Sequence, residues 1–220
     1  MIDPAQVAAN IADVRRRIDA AGGGDEVRIL AVTKTFPLDA ARAALAAGCL
    51  AVGENYAQEA VAKWAEWRAD EPRPSLHVIG HVQTNKVRML APIVDVWQTL
   101  DRVSVIDEVA RRAPGARAYL QVNVTGEPAK SGCEPAETPA LLAHARAAGL
   151  RIEGLMTLGV AGDDAVTLAG FRLLSSIADE LGLAERSMGM SGDLELAVQA
   201  GATMVRIGSA LFGPRPVAQP

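Results

Sequence analysis

The amino-acid sequence predicts an α/β protein, a single (β/α)8 barrel of the TIM type with an extra amino-terminal helix. Short apolar runs alternate with longer alanine-rich stretches along the chain, which is the pattern of repeated βα units. Eight such runs occur, and no linker or composition break divides them. We therefore expect one domain over residues 1–220, with its core at about 27–213. A doubly wound open sheet is the main alternative, and eight strands favour the closed barrel.

The first element is a helix predicted over Pro4–Ala20, which the run Gly22-Gly23-Gly24 brings to an end. The predicted strands cover residues 27–35, 50–54, 76–82, 94–100, 116–122, 151–158, 186–190 and 203–207. The intervening helices are predicted to begin near residues 38, 56, 84, 103, 135, 163 and 191. The final helix, Ala210–Phe212, is short, so we expect the opening helix to complete the outer ring.

Composition narrows the class of function. Half of the 220 residues are hydrophobic and 22% are charged, with a net charge of -4 and a pI of about 5.4. This balance argues against bulk binding to nucleic acid or to an anionic membrane. No apolar run approaches the length of a bilayer span, and Met1-Ile2-Asp3-Pro4 does not resemble a signal peptide. Cys49 and Cys133 form neither a disulfide framework nor a metal motif. We expect a cytoplasmic protein without a metal and, since no long apolar face demands a partner, a monomer.

A lysine, Lys34, follows the apolar run that begins at Val27. Functional groups of such a barrel lie where the strands end at their carboxyl side. Lysine changes its pKa readily when it is desolvated, and a neutral amine can attack a carbonyl to form a Schiff base. An ion-pair role is the alternative.

Two later turns predict a phosphate site. Ser191-Gly192 follows the seventh predicted strand, and Gly208-Ser209 follows the eighth. Free N–H groups and hydroxyls at such turns attract anions, glycine allows close approach, and these two loops are the common phosphate site of the fold. Each serine alone would be interpreted as a helix cap. Two in the required loops favour phosphate.

Arg206, in the last strand, is predicted to point into the barrel mouth. A buried ion pair with Glu54 or Asp193 is the alternative. A guanidinium only donates hydrogen bonds, so it suits an acceptor such as a pyridine nitrogen. Lysine, phosphate loops and arginine together match pyridoxal 5'-phosphate (PLP). An arginine at the ring nitrogen would keep that nitrogen unprotonated and weaken the electron sink of the cofactor.

The ordered set of these segments resembles the pyridoxal phosphate homeostasis proteins, whose barrel is similar to the N-terminal domain of bacterial alanine racemase. The matching segments are residues 31–35, 52–59, 77–86, 121–123, 130–132, 154–157, 187–193 and 204–213. The resemblance implies a protein that stores, buffers or delivers PLP and maintains PLP and amino-acid homeostasis, with little or no turnover. PLP-dependent apo-enzymes are its implied partners.

The resemblance also implies roles for individual residues. Lys34 would form the Schiff base, Arg206 would face the pyridine nitrogen, and Ser191, Gly192, Gly208 and Ser209 would hold the phosphate. The residues implied to surround the ring are Asn55, His81 and Met156. Some relatives carry a second lysine where this chain has Phe36, so a second attachment would have to use Lys86 or Lys130, unless these are solvated loop lysines.

Two alternative functions stay open from the sequence. A PLP-dependent amino-acid racemase of low activity needs a base on each face of the substrate. The racemases that resemble this barrel take the second base, a tyrosine, from an additional domain that we do not expect in a chain ending at Pro220. The tyrosines here are Tyr56 and Tyr119. A phosphosugar or nucleotide-phosphate enzyme would keep the phosphate loops without needing an imine.

Overall fold

Eight parallel strands close into one barrel in the computed structural model, which describes residues 2–127 and 130–214. The strands are β1 (Arg28–Val32), β2 (Ala51–Glu54), β3 (Ser75–Val78), β4 (Val96–Leu100), β5 (Arg117–Gln121), β6 (Arg151–Met156), β7 (Glu185–Ser187) and β8 (Met204–Ile207). Each strand pairs with its successor, and β8 returns to β1 through the Arg28–Met204 register. The predicted closed barrel is confirmed. Residues 1, 128–129 and 215–220 of the predicted domain lie outside the described residues.

Helices surround the barrel in the described ranges. They are α1 (Pro4–Ala20), α2 (Leu38–Ala46), α3 (Ala57–Ala65), α4 (Thr84–Leu90), α5 (Val103–Arg112), α6 (Thr138–Ala147), α7 (Asp164–Glu180), α8 (Leu194–Gln199) and α9 (Ser209–Phe212). The four-residue α9 is too short to cover its strand, and α1 packs against α2, α8 and α9. The extra amino-terminal helix therefore completes the outer ring, as the sequence predicts.

The strands are buried on both faces, which explains their near-continuous apolar sequences. All five residues of β4 are buried, and the barrel interior is filled by side chains such as Val96, Tyr119 and Met156. Each fully buried side chain of this size removes apolar surface from water and contributes roughly 1.5–3 kcal/mol. The result is a packed interior, so ligands are confined to the two ends of the barrel.

Several strands end earlier than the sequence predicts. β1 ends at Val32 rather than Thr35, and β6 ends at Met156 rather than Leu158. After β1 the chain turns at once, because Thr35 adopts a φ of 67° and the N–H of Phe36 donates to the carbonyl of Thr33 at 3.1 Å. Lys34 therefore lies in a tight turn beyond the strand.

None of the helices in the described ranges is long and apolar enough to cross a lipid bilayer.

Candidate functional site

A cavity of about 430 Å³ lies at the carboxyl ends of the strands. It is lined by residues from the loops that follow β1, β2, β3, β5, β6, β7 and β8. The lining residues predicted from the sequence are Lys34, Asn55, Ser191, Gly192, Arg206, Gly208 and Ser209. Seven predicted residues, distant in sequence, thus converge on one cavity.

Two predicted residues lie outside the lining of this cavity. His81 lies beside it, in a smaller pocket that shares Asn55, with its Nδ1 3.5 Å from Asp101 Oδ2. It follows the end of β3 by three residues, in a loop rather than on the strand. Met156 is buried inside the barrel against Val96 and Tyr119. Its part in surrounding a ligand stays a prediction.

The turn that carries Lys34 is held from both sides. Before it, the Thr33 hydroxyl donates to Glu54 Oε1 at 2.7 Å, and Lys63 Nζ donates to the Thr33 carbonyl at 2.9 Å. After it, the N–H of Thr35 donates to Glu59 Oε1 at 2.5 Å. Thr35 is a β-branched residue in the left-handed region, a conformation that costs free energy and that surrounding contacts must hold. The backbone at Lys34 is therefore fixed.

Glu54 and Lys63 form a buried ion pair beneath that turn. Their side chains are almost wholly inaccessible, and Lys63 Nζ lies 2.6 Å from Glu54 Oε1. Burial raises the pKa of the Glu54 carboxyl, while Lys63 and the Thr33 hydroxyl oppose the rise. Glu54 thus pairs with Lys63 and not with Arg206, which contradicts the Glu54 part of the alternative considered for that arginine. The sequence reasoning missed Lys63, although its place four residues after Glu59 on one helix was a usable signal.

Arg206 forms the buried side of the cavity. Its Nη1 donates to Ser187 Oγ at 3.0 Å and its Nη2 to the Thr157 carbonyl at 2.7 Å. Burial lowers the pKa of the guanidinium to about 10, and Asp193 opposes this. Asp193 acts on Arg206 only through its charge, without a salt bridge in the described residues. The group is therefore charged at neutral pH, held by two hydrogen bonds, and able to donate to a ligand from its remaining N–H groups.

The loops after β7 and β8 meet at two hydroxyls. Ser191 Oγ lies 3.3 Å from Ser209 Oγ and accepts from the N–H of Ala210 at 3.4 Å. A side chain at Gly192 would meet no protein atom within 4 Å, so the backbone there is open to a ligand. From α1, Arg17 donates to the carbonyl of Ser191 at 3.0 Å and holds the loop. This end of the cavity suits an anion.

The two lysines considered for a second attachment occupy different places. Lys130 lines the cavity, where its Nζ donates to the Gly159 carbonyl at 2.8 Å and pairs with Glu127 at 2.8 Å. Lys86 lines the neighbouring pocket with His81. Lys130 is the one that lines the cavity, whereas Lys86 lies half-buried on α4.

Apolar walls complete the cavity and were not predicted from the sequence. They come from Val32, Phe36, Ile79 and Leu158. Asn55 adds a polar atom without a satisfied hydrogen bond, because its buried Oδ1 has no partner among the described residues. Buried amide oxygens are usually paired. An amine, a guanidinium, two hydroxyls and an unpaired acceptor thus surround a space with apolar walls.

Comparison with known proteins finds close relatives. The family model of the alanine racemase N-terminal domain matches residues 2–216. A pyridoxal phosphate homeostasis protein of Pseudomonas aeruginosa is 44% identical, over 97% of this chain and 98% of its own. Its counterpart in Escherichia coli K12 is 36% identical, over 95% and 97%. PipY of Synechococcus elongatus PCC7942, solved with PLP bound, is 34% identical with a TM-score of 0.83, over 94% of this chain and all of its own.

Proposed function

The chain belongs to the pyridoxal phosphate homeostasis protein family, and from this we propose that it binds pyridoxal 5'-phosphate and stores, buffers or delivers it. The supporting observation is that Lys34, Arg206 and the Ser191–Ser209 hydroxyl pair line one cavity. These groups come from opposite ends of the chain and meet because β7, β8 and β1 are neighbours in the barrel. If Lys34 and Arg206 only formed structural ion pairs, they would not need to surround an open space together with two hydroxyls.

The donor set fits the cofactor group by group. The cofactor has an aldehyde that suits a lysine amine, a phosphate that suits hydroxyls and an open glycine backbone, and a ring with an acceptor nitrogen. The apolar walls suit the faces of the ring. When bound, PLP supplies an electron sink for carbanion chemistry. The unpaired Oδ1 of Asn55 is left for a ligand donor.

Each residue would hold one part of the bound group. Lys34 would attach it covalently, from a backbone turn that Glu59 and Lys63 keep in place. Gly208 and Ser209 would bind the phosphate together with Ser191 and Gly192. His81 and Met156 would act from the periphery, because neither lines the cavity.

Low turnover is the second part of the proposal. Arg206 is charged at neutral pH and can only donate, so a ring nitrogen facing it would stay unprotonated. That weakens the electron sink. Neither tyrosine of the chain lines the cavity in the described part: Tyr56 is exposed in the adjacent pocket, and Tyr119 is buried in the barrel, where burial raises its pKa to about 12. The absence of both tyrosines from this lining supports low turnover as a racemase.

Several finer points belong to the same proposal. Apo-enzymes that depend on PLP would receive the cofactor in the cytoplasm, and the protein would act as a monomer. Lys130 is the better placed of the two lysines for a transient second attachment, since it lines the cavity. Its ion pair with Glu127 would have to break first.

The test is to reconstitute the purified protein with PLP and record its absorbance near the visible edge before and after borohydride. We expect a band that borohydride removes, present in Lys130→Ala and absent in Lys34→Ala. A wild-type protein without the band contradicts the proposal. So does turnover of L- or D-alanine at ordinary enzymatic rates that Lys34→Ala abolishes, since it would make the protein a racemase.

A further inference from the structure

A second cavity, of about 600 Å³, lies at the opposite end of the barrel. We call it the amino-end cavity, because it is lined by the first residues of five strands. These are Arg28, Ala51, Ser75, Arg117 and Met204. Helix α1 covers it through Ala8, Ile11, Ala12 and Arg15. It shares no lining residue with the cavity at Lys34, so the proposed function does not account for it.

The charges around the amino-end cavity are positive. Arg15, Arg28 and Arg117 line it, and no carboxylate is among its lining side chains in the described part of the chain. Arg28 and Arg117 form ion pairs with Glu185 and Glu153, which do not line the cavity. Arg15 donates to the carbonyls of Val27 and Gly24 and has no carboxylate partner among the described residues. The cavity therefore favours an anion.

A chain of hydrogen bonds through the barrel interior determines which ring nitrogen of His77 carries the proton. Arg206 donates to Ser187 Oγ at 3.0 Å, and the Ser187 hydroxyl donates to Gln98 Oε1 at 2.7 Å. The Gln98 amide nitrogen, 2.7 Å from His77 Nδ1, then donates to that ring nitrogen. Because an amide nitrogen only donates, His77 Nδ1 accepts from Gln98. In neutral His77 the proton must lie on Nε2.

His77 is therefore a buried donor at the floor of the amino-end cavity. It is 4% exposed, lines the cavity, and its Nε2 has no hydrogen-bond partner among the described residues. Burial, with Arg117 and Arg28 nearby, lowers the pKa of His77 to about 3, so the ring is neutral at pH 7. The buried Oγ of Ser75, two residues earlier on β3, also has no partner in the part of the chain that the structure describes. Buried polar groups without partners are rare and indicate an absent ligand or water.

We propose that the amino-end cavity binds a small organic carboxylate. The carboxylate would accept from His77 Nε2 within the field of Arg28 and Arg117. Its apolar part would pack on side chains such as Ile11 and Ile29, which line the same cavity. Inorganic phosphate would leave those apolar walls uncovered, which is why a carboxylate with an apolar body is favoured.

The test is a titration of sodium benzoate, followed by NMR of the protein labelled with ¹⁵N at histidine and loaded with PLP, so that the other cavity is filled. The chain has three histidines, so the His77 ring signal can be assigned with His77→Gln. We expect saturable shifts of that signal, and binding of neutral benzamide at least about tenfold weaker. The titration is repeated without PLP, so that benzoate binding at the amino-end cavity is measured whether or not the protein binds PLP.

The controls use exposed alanines on α1. Ala12→Phe would fill the cavity, whereas Ala9→Phe adds the same side chain at an exposed position that does not line it. We expect Ala12→Phe to weaken benzoate binding by roughly tenfold or more and Ala9→Phe to leave it unchanged. The proposal is overturned if benzoate leaves the His77 signal unmoved, if benzamide binds equally well, or if the two variants behave alike.

Discussion

The residues around Lys34 show how one amine is positioned by neighbours that never face the cavity. Glu54 and Lys63 are buried as a pair, and both reach Thr33, the residue before Lys34. A buried ion pair adds little net stability, but removing one partner leaves an uncompensated charge. We infer that the ion pair fixes the turn. Its effect on the free energy of unfolding should be largest when one partner is removed.

The first prediction breaks that pair. Lys63→Met should lower the free energy of unfolding by about 3–5 kcal/mol, because Glu54 is left buried without its cation. The double variant Lys63→Met/Glu54→Gln should recover most of the loss, since no buried charge remains. Urea unfolding of the wild type, both single variants and the double variant measures this. Equal losses in the single Lys63 variant and the double variant would contradict the role given to the pair.

At the scale of elements, the loops after β7 and β8 act as a unit. Neither has a long helix behind it: α8 has six residues and α9 has four. The loops are joined instead by the contact between Ser191 and Ser209 and fixed by Arg17 from α1. The extra amino-terminal helix thus supports the proposed phosphate site as well as closing the outer ring.

The second prediction concerns these two loops. Ser191→Ala/Ser209→Ala should weaken binding of PLP by about tenfold or more, because two hydroxyl donors to an anion are removed. Binding of pyridoxal, which lacks the phosphate, should be nearly unchanged. Fluorescence titration with both ligands compares them in one protein. An equal loss for both ligands would mean that the hydroxyls do not act on the phosphate.

The sequence predicted which helices and strands form more accurately than it predicted where they end. Alternating apolar runs and alanine-rich helices were enough for the closed barrel, because burial on both faces leaves a strong periodic signal. The end of β1 was missed since nothing local marks Thr35 for a positive φ; the contact with Glu59 on α3 holds it. Lys63 has a local signal in its spacing from Glu59 on α3, but its buried partner Glu54 lies on another element and could not be predicted locally. His81 and Met156 were predicted from the resemblance, and their distance from the cavity depends on where β3 and β6 stop.

At the scale of the whole molecule, one hydrogen-bonded chain crosses the interior from Arg206 to His77. This hydrogen-bonded chain is buried away from water, so a change in the protonation of one of its residues would leave a neighbour without its hydrogen bond. His77 is the member whose state depends most on pH. Its pKa of about 3 lies below the ordinary value of 6.5 because burial, Arg117 and Arg28 all disfavour the charged ring.

The third prediction follows from the sign of that shift. Between pH 6.5 and about 3 the unfolded chain takes up a proton that the folded chain does not, so stability falls as the pH falls. The slope due to His77 approaches about 1.4 kcal/mol per pH unit. His77→Gln, whose amide can still accept from Gln98, should remove this part of the slope. Urea unfolding at several pH values between 6.5 and 5 measures it, with His144→Gln, at a partly exposed histidine on α6, as the control. An unchanged slope in His77→Gln would contradict the buried neutral state.

The central claim is that this barrel holds PLP and gives it up. The most direct measurement mixes the PLP-loaded protein with an apo-enzyme that depends on the cofactor, and follows the absorbance of the carrier and the activity of the enzyme together. We expect activity to appear as the carrier absorbance falls. We expect no transfer from Lys34→Ala after the same treatment with PLP and removal of unbound cofactor. An apo-enzyme that stays inactive while the carrier keeps its cofactor would contradict the claim.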